Sequence, residues 1–125
     1  MKQSIISSKA PAALGPYCHV TVSGKFVFVS GTLGIDPATG KMVEGIEGQA
    51  QQVMKNLSAV LEEAGTSLNH ALKATIFLTD LGDFAIVNKI YGDAFAGVYP
   101  ARSCFEVSKL PGGASVEIEL IAELP

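Results

Sequence analysis

The chain has 125 residues, a length that predicts one domain spanning residues 1–125. Hydrophobic residues make up 48% and charged residues only 17%, against about 25% in a typical domain. No run approaches the roughly 20 apolar residues of a membrane span, so no membrane partner is expected and the apolar excess points to burial between subunits. The net charge is −3 and the nine lysines and arginines are scattered, which argues against a nucleic-acid partner, since such proteins carry a basic stripe.

In chain order, Gln3–Ile6 reads as a short strand. Residues 17–23 and 25–30 are β-rich runs parted by Gly24, the pattern of a hairpin. The second run, Lys-Phe-Val-Phe-Val-Ser, is apolar on both faces, which predicts a central strand covered on both sides. Gly31 to Gly40 carries Asp-Pro and Thr-Gly turn chemistry and reads as a loop. From Ile46 to Ala64 the apolar positions recur at separations of three, four and seven, a helix that Gly65 is suited to end. Ala71 to Thr79 alternates, with Leu72, Ala74, Ile76 and Leu78 on one face. A second helix runs from about Asp83 to Gly97 and buries a stripe of Phe84, Val87, Tyr91, Ala94, Phe95 and Val98. Two strands follow, Arg102–Lys109 and Ser115–Leu124, and the short turn Leu-Pro-Gly-Gly-Ala between them predicts that they pair. The order is β-β-β-α-β-α-β-β: an α+β fold with a six-stranded mixed sheet and two helices on one face. Nothing remains to cover the other face, whose apolar residues are expected to pack on further subunits.

Two cysteines, Cys18 and Cys104, and two histidines, His19 and His70, form no metal-ligand spacing, and no metal site is expected. The first nine residues lack the apolar core of a signal peptide, so a cytoplasmic protein with reduced thiols is expected. Serine-elbow, P-loop, dinucleotide-binding and His-Glu-x-x-His patterns are absent.

The residues that draw attention lie near strand ends. Arg102, in Tyr-Pro-Ala-Arg-Ser-Cys-Phe-Glu-Val, shares a strand face with Cys104 and Glu106 and is placed to grip a small carboxylate through its fork of donors. Glu117 shares a face of the last strand with Glu119 and Glu123, and if that strand pairs with the one carrying Arg102, acid and cation bridge each other or flank a pocket. Ser30-Gly31 offers a hydroxyl beside open backbone. Asn88 borders the apolar stripe of the second helix and needs a partner. Tyr17 places a phenol at the start of its strand. Cys104 lacks a histidine to activate it and reads as a small buried residue. On spacing alone, a solvated surface arginine and a solvated acidic face remain the ordinary alternatives.

Ala10-Pro-Ala-Ala-Leu-Gly-Pro-Tyr17, Ser30-Gly31 with Ile35-Asp36-Pro37, Asp80-Leu81 with Phe84 and Val87-Asn88, Pro100-Ala-Arg-Ser-Cys-Phe-Glu-Val107 and Val116-Glu-Ile-Glu-Leu-Ile-Ala122 occur in that order. Together they resemble the RidA/YjgF (Rid, L-PSP) family of reactive-intermediate deaminases over essentially the whole chain. The resemblance implies a chorismate-mutase-like homotrimer with sites between subunits. It also implies hydrolysis of enamine and imine acids, such as 2-aminoacrylate/2-iminopropanoate and 2-iminobutanoate, to 2-oxo acids and ammonia without cofactor or metal. By position, Arg102 would hold the substrate carboxylate and Glu117 the attacking water, while Tyr17, Ser30, Gly31, Asn88 and Cys104 would line the cleft. The chain departs from the family's commonest pattern at Cys18-His19, where a Ser-Gln type pair is usual, and at Thr32-Leu33-Gly34. Two other readings stand beside this one: an endoribonuclease or translation inhibitor, and a module that binds 2-oxo acids without turning them over.

Overall fold

A computed structural model describes residues 1–125. Strands β1 (Gln3–Ile5), β2 (Val20–Ser23) and β3 (Phe26–Leu33) open the chain, followed by a separate two-stranded ribbon of β4 (Ile35–Asp36) and β5 (Lys41–Met42). Helix α1 (Ile46–Glu63), β6 (Ala71–Leu78), helix α2 (Phe84–Asp93), β7 (Ala101–Glu106) and β8 (Val116–Glu123) complete it. The main sheet has six strands in the order β1-β2-β3-β8-β6-β7. All neighbours are antiparallel except β6 and β7, so the sheet is mixed.

The helical readings hold closely at α1. Ala50, Val53, Leu57, Val60 and Leu61 are its buried stripe, and Gly65 ends it at φ 88°, a left-handed conformation that favours glycine. α2 stops at Asp93, four residues before the expected end. It is preceded by a 3₁₀ turn at Leu81–Asp83, where the Asp80 carboxylate accepts a bond from the Gly82 N–H. Val87, Tyr91 and Phe95 are buried as the periodicity requires, whereas Phe84, at the open start of the helix, and Val98, beyond its end, are exposed against expectation. α1 packs on β3 and β8, and α2 packs on α1. Their stripes join Val27, Val29, Ala74, Ile76, Leu78, Ile118 and Leu120 in one apolar core. No helix is long and apolar enough to cross a membrane.

Several expectations for the sheet need correction. First, β7 and β8 do not pair. After β6 the chain crosses through α2 and returns parallel to β6 on its outer side, as a short βαβ unit allows. β8 then enters between β3 and β6. The reason is visible in their inner faces. Val116, Ile118, Leu120 and Ala122 of β8 are almost wholly buried and need neighbours on both sides. β7 offers Arg102, Cys104 and Glu106 on that face, which only an edge strand accommodates. Second, Phe26 and Phe28 of β3 are 52% and 44% exposed, because nothing in the chain covers the second sheet face. Phe105 of β7 is on that face too, at 53%. Third, Leu72 is exposed, since a register shift between Ala71 and Lys73 takes it out of the alternation. β2 also begins three residues later than expected, leaving Tyr17, Cys18 and His19 in the approach to the strand. Gly31–Gly40, expected as a loop, instead carries the end of β3 to Leu33 across an irregularity and the β4 strand that pairs with β5.

Candidate functional site

Residues paired across neighbouring strands project from the same face, and this decides where the candidate side chains lie. Ala74, fully buried beneath the helices, pairs with Arg102, so Arg102 and Cys104 lie on the helix-covered face. Phe77 pairs with both Glu117 and Phe105, so Glu117 lies on the uncovered face. Within one chain, Arg102 and Glu117 therefore face apart, and β6 stands between their strands. The expected bridge or shared pocket within one chain is overturned by this register.

The cationic half is built by β7 and α2. Phe84, Asn88 and Tyr91 follow one another at spacings of four and three, which sets them on one stripe of α2. That stripe meets the second residue of β7: Arg102 Nη1 donates to Asn88 Oδ1 at 2.8 Å. Asn88 thus has the partner its position demanded. No carboxylate pairs with Arg102, the one ion pair of the chain being Lys89–Asp93 at 2.8 Å. Arg102, Asn88, Tyr91, Tyr99 and Pro100 line an open groove of about 440 Å³. Cys104 lies half-buried against the core on the same face. Burial pushes its thiol above the ordinary range, and the Arg102 charge opposes that only in part. The protonated thiol this favours is a poor nucleophile, in line with a lining role.

The acidic half lies on the other face. Glu117 is half-buried, and its carboxyl is pushed above the ordinary carboxylate range by burial first and by the neighbouring Glu119 charge second. Gly31 is the close-approach residue: a Cβ there would stand 2.8 Å from Glu117 Oε2. Ser30 Oγ donates to the Cys18 carbonyl at 2.7 Å. Tyr17, Ser30 and Gly31 line a small cavity of about 40 Å³ closed by the loop Ala10–Leu14. The structure thus gathers Tyr17, Ser30, Gly31 and Glu117 in one region, and Asn88, Arg102 and Cys104 in another.

Sequence reasoning missed His19, which holds that loop in place. The Ser7 N–H donates to Nδ1 at 2.8 Å, so the ring hydrogen sits on Nε2, which donates to the Pro11 carbonyl at 2.7 Å. The signal available was its substitution for the glutamine usual at this position, since both side chains pair one donor with one acceptor. No three metal-ligating side chains cluster anywhere in the chain.

A family model described as Endoribonuclease L-PSP matches residues 7–124. The 2-iminobutanoate/2-iminopropanoate deaminase of Mus musculus is 42% identical over 98% of this chain and 91% of its own length. The crystal structure of RidA from the Antarctic bacterium Psychrobacter sp. PAMC 21119 superposes with a TM-score of 0.96 at 44% identity, covering 98% of this chain and 99% of that one. The chain belongs to the RidA/YjgF family. The crystal structure of E. coli TdcF with bound serine matches with a TM-score of 0.93 at 37% identity over 98% and 99% of the two chains. The RidA fold is therefore shared from end to end, and in this chain Arg102 and Glu117 lie on opposite faces of its sheet.

Proposed function

We propose that the protein hydrolyses small 2-imino and 2-enamino acids, 2-iminobutanoate and 2-iminopropanoate among them, to 2-oxo acids and ammonia. The observation that carries this is Arg102, a guanidinium at a groove, held by a neutral amide and unpaired with any carboxylate. Such a cation has its remaining donors free for a planar anion. The serine named in the TdcF complex is an amino acid with the same carboxylate. Because Arg102 and Glu117 face apart, the cleft is completed by two copies, one presenting Arg102 and the next presenting Glu117. The exposed Phe26, Phe28 and Phe105 give the uncovered face a reason to bury itself against other copies, and a homotrimer is the assembly proposed.

In that cleft the chemistry balances simply. A protonated imine is already electrophilic at C2. Water attacks there while the C=N pair moves to nitrogen, and Glu117 takes one water proton. The same carboxyl returns a proton to nitrogen, ammonia leaves, and the remaining hydroxyl proton is released as C=O forms. A carboxyl lifted above its ordinary range is a stronger base than an ordinary carboxylate and takes the water proton more readily. Burial of the reacting groups between copies strengthens the Arg102–carboxylate contact.

The test is complementation. Arg102→Ala and Glu117→Gln each lose acceleration of 2-iminobutanoate breakdown, followed with a semicarbazide trap. Unfolded together and reassembled in equal amounts, they regain about a quarter of native activity, because random mixing gives that share of interfaces both intact groups. No recovery means that one chain supplies both residues or neither. Cleavage of RNA without imine hydrolysis would favour the nuclease reading, and tight 2-oxobutanoate binding without turnover the binding module. Gly31→Ala is a second check: its Cβ displaces the Glu117 carboxylate, so kcat falls on the order of 10²-fold while the melting temperature stays close to native.

A further inference from the structure

The Arg102 guanidinium has more holding it than a hydrogen bond. Its Cζ lies 5.5 Å from the Phe84 ring centre and 5.1 Å from that of Tyr91. Both are within the range of a cation–π contact. Asn88, between them on the stripe, takes Nη1 at 2.8 Å. We infer that Phe84 and Tyr91 are positioning residues that hold the Arg102 guanidinium in one plane, so that its free edge meets a planar carboxylate already oriented. The inference rests on the reading of Arg102 as the carboxylate anchor.

Packing alone does not explain Phe84, and Tyr91 does more than pack. Phe84 opens α2 partly in water, where a polar residue would serve the helix as well. Tyr91 belongs to the core and packs on Phe95, yet the same ring also lines the groove and faces the guanidinium. What the two residues share is a π face toward the same cation. An arginine on an edge strand otherwise loses side-chain freedom when it binds, and holding it beforehand removes that loss from the binding step. A lysine ammonium has no plane to orient, so the device is specific to arginine.

The experiment measures KM for 2-iminobutanoate and Kd for 2-oxobutanoate in a double-mutant cycle. Phe84→Leu raises both roughly fivefold, the scale of one partly exposed cation–π contact, with kcat little changed. Phe84→Tyr, which keeps a ring, restores the native values. In an Arg102→Lys background, Phe84→Leu changes Kd less than about twofold, because the group being oriented is gone. Tyr91→Leu behaves as Phe84→Leu does; if it fails to fold, the exposed Phe84 still decides. The inference is overturned if Phe84→Leu leaves KM and Kd native, or shifts Kd equally in both backgrounds. If Arg102→Ala keeps native activity, the anchor reading falls and this one with it. If Arg102→Ala is inactive while Phe84→Leu is native, only the positioning role falls.

Discussion

Arg102→Ala lowers kcat/KM for 2-iminobutanoate by about 10²–10⁴-fold, and this is the largest effect expected of any single substitution. Two charge-assisted hydrogen bonds to a carboxylate are lost, each about 1.5–3 kcal/mol where water is excluded. Arg102→Lys keeps the charge but not the fork, and recovers only part of the loss, because one ammonium cannot match both carboxylate oxygens in a plane. The fold tolerates either change. Arg102 sits on an edge strand, half-buried, and its only side-chain hydrogen bond is to Asn88. Circular dichroism and melting curves close to native would show that the lost activity is not lost structure. Native-like turnover of Arg102→Ala would end the carboxylate-anchor reading.

Glu117→Gln is the second. It lowers kcat by about 10²–10⁴-fold, the usual worth of a positioned general base, and leaves the affinity for 2-oxobutanoate near native. The pH dependence follows from the raised carboxyl. Activity needs ionised Glu117, so it falls on the acid side at a pH above that of an ordinary carboxylate. Glu119→Gln removes the like charge that contributes to the shift, and the acid limb then moves to lower pH. Stability runs the other way. With its pKa raised on folding, Glu117 gives the folded chain more bound protons than the unfolded chain between the two values. Its contribution is therefore present below the unfolded value and is lost as pH rises through the folded one. At pH above the folded value the ionised group opposes folding, so there Glu117→Gln melts no earlier than the native protein. A variant that is both inactive and markedly less stable would show that Glu117 serves structure.

Much of the architecture could be read directly from the residues. The α1 stripe is a helical pattern with a glycine stop, and the alternation of Val116, Ile118, Leu120 and Ala122 marks their strand face without ambiguity. Asn88 was identifiable because a polar side chain beside an apolar stripe needs a partner. The pairing of β7 with β8 was misread because a short turn between two strands favours a hairpin locally. The better signal was the content of the inner faces: four apolar residues on β8 against an arginine, a cysteine and a glutamate on β7. The Phe26 and Phe28 side chains suggested cover on both sides of β3. They are uncovered in the single chain, because neither helix reaches that face of the sheet.

Local periodicity and turn residues were enough to settle the two helices, the six strands of the main sheet and the α+β class, because each depends on neighbours within a few positions, and the ordered motifs settled the family. Strand order and the faces that Arg102 and Glu117 occupy were decided only in three dimensions. They depend on which strand wins the central place beside β6, and that competition is between buried areas contributed by residues far apart in sequence.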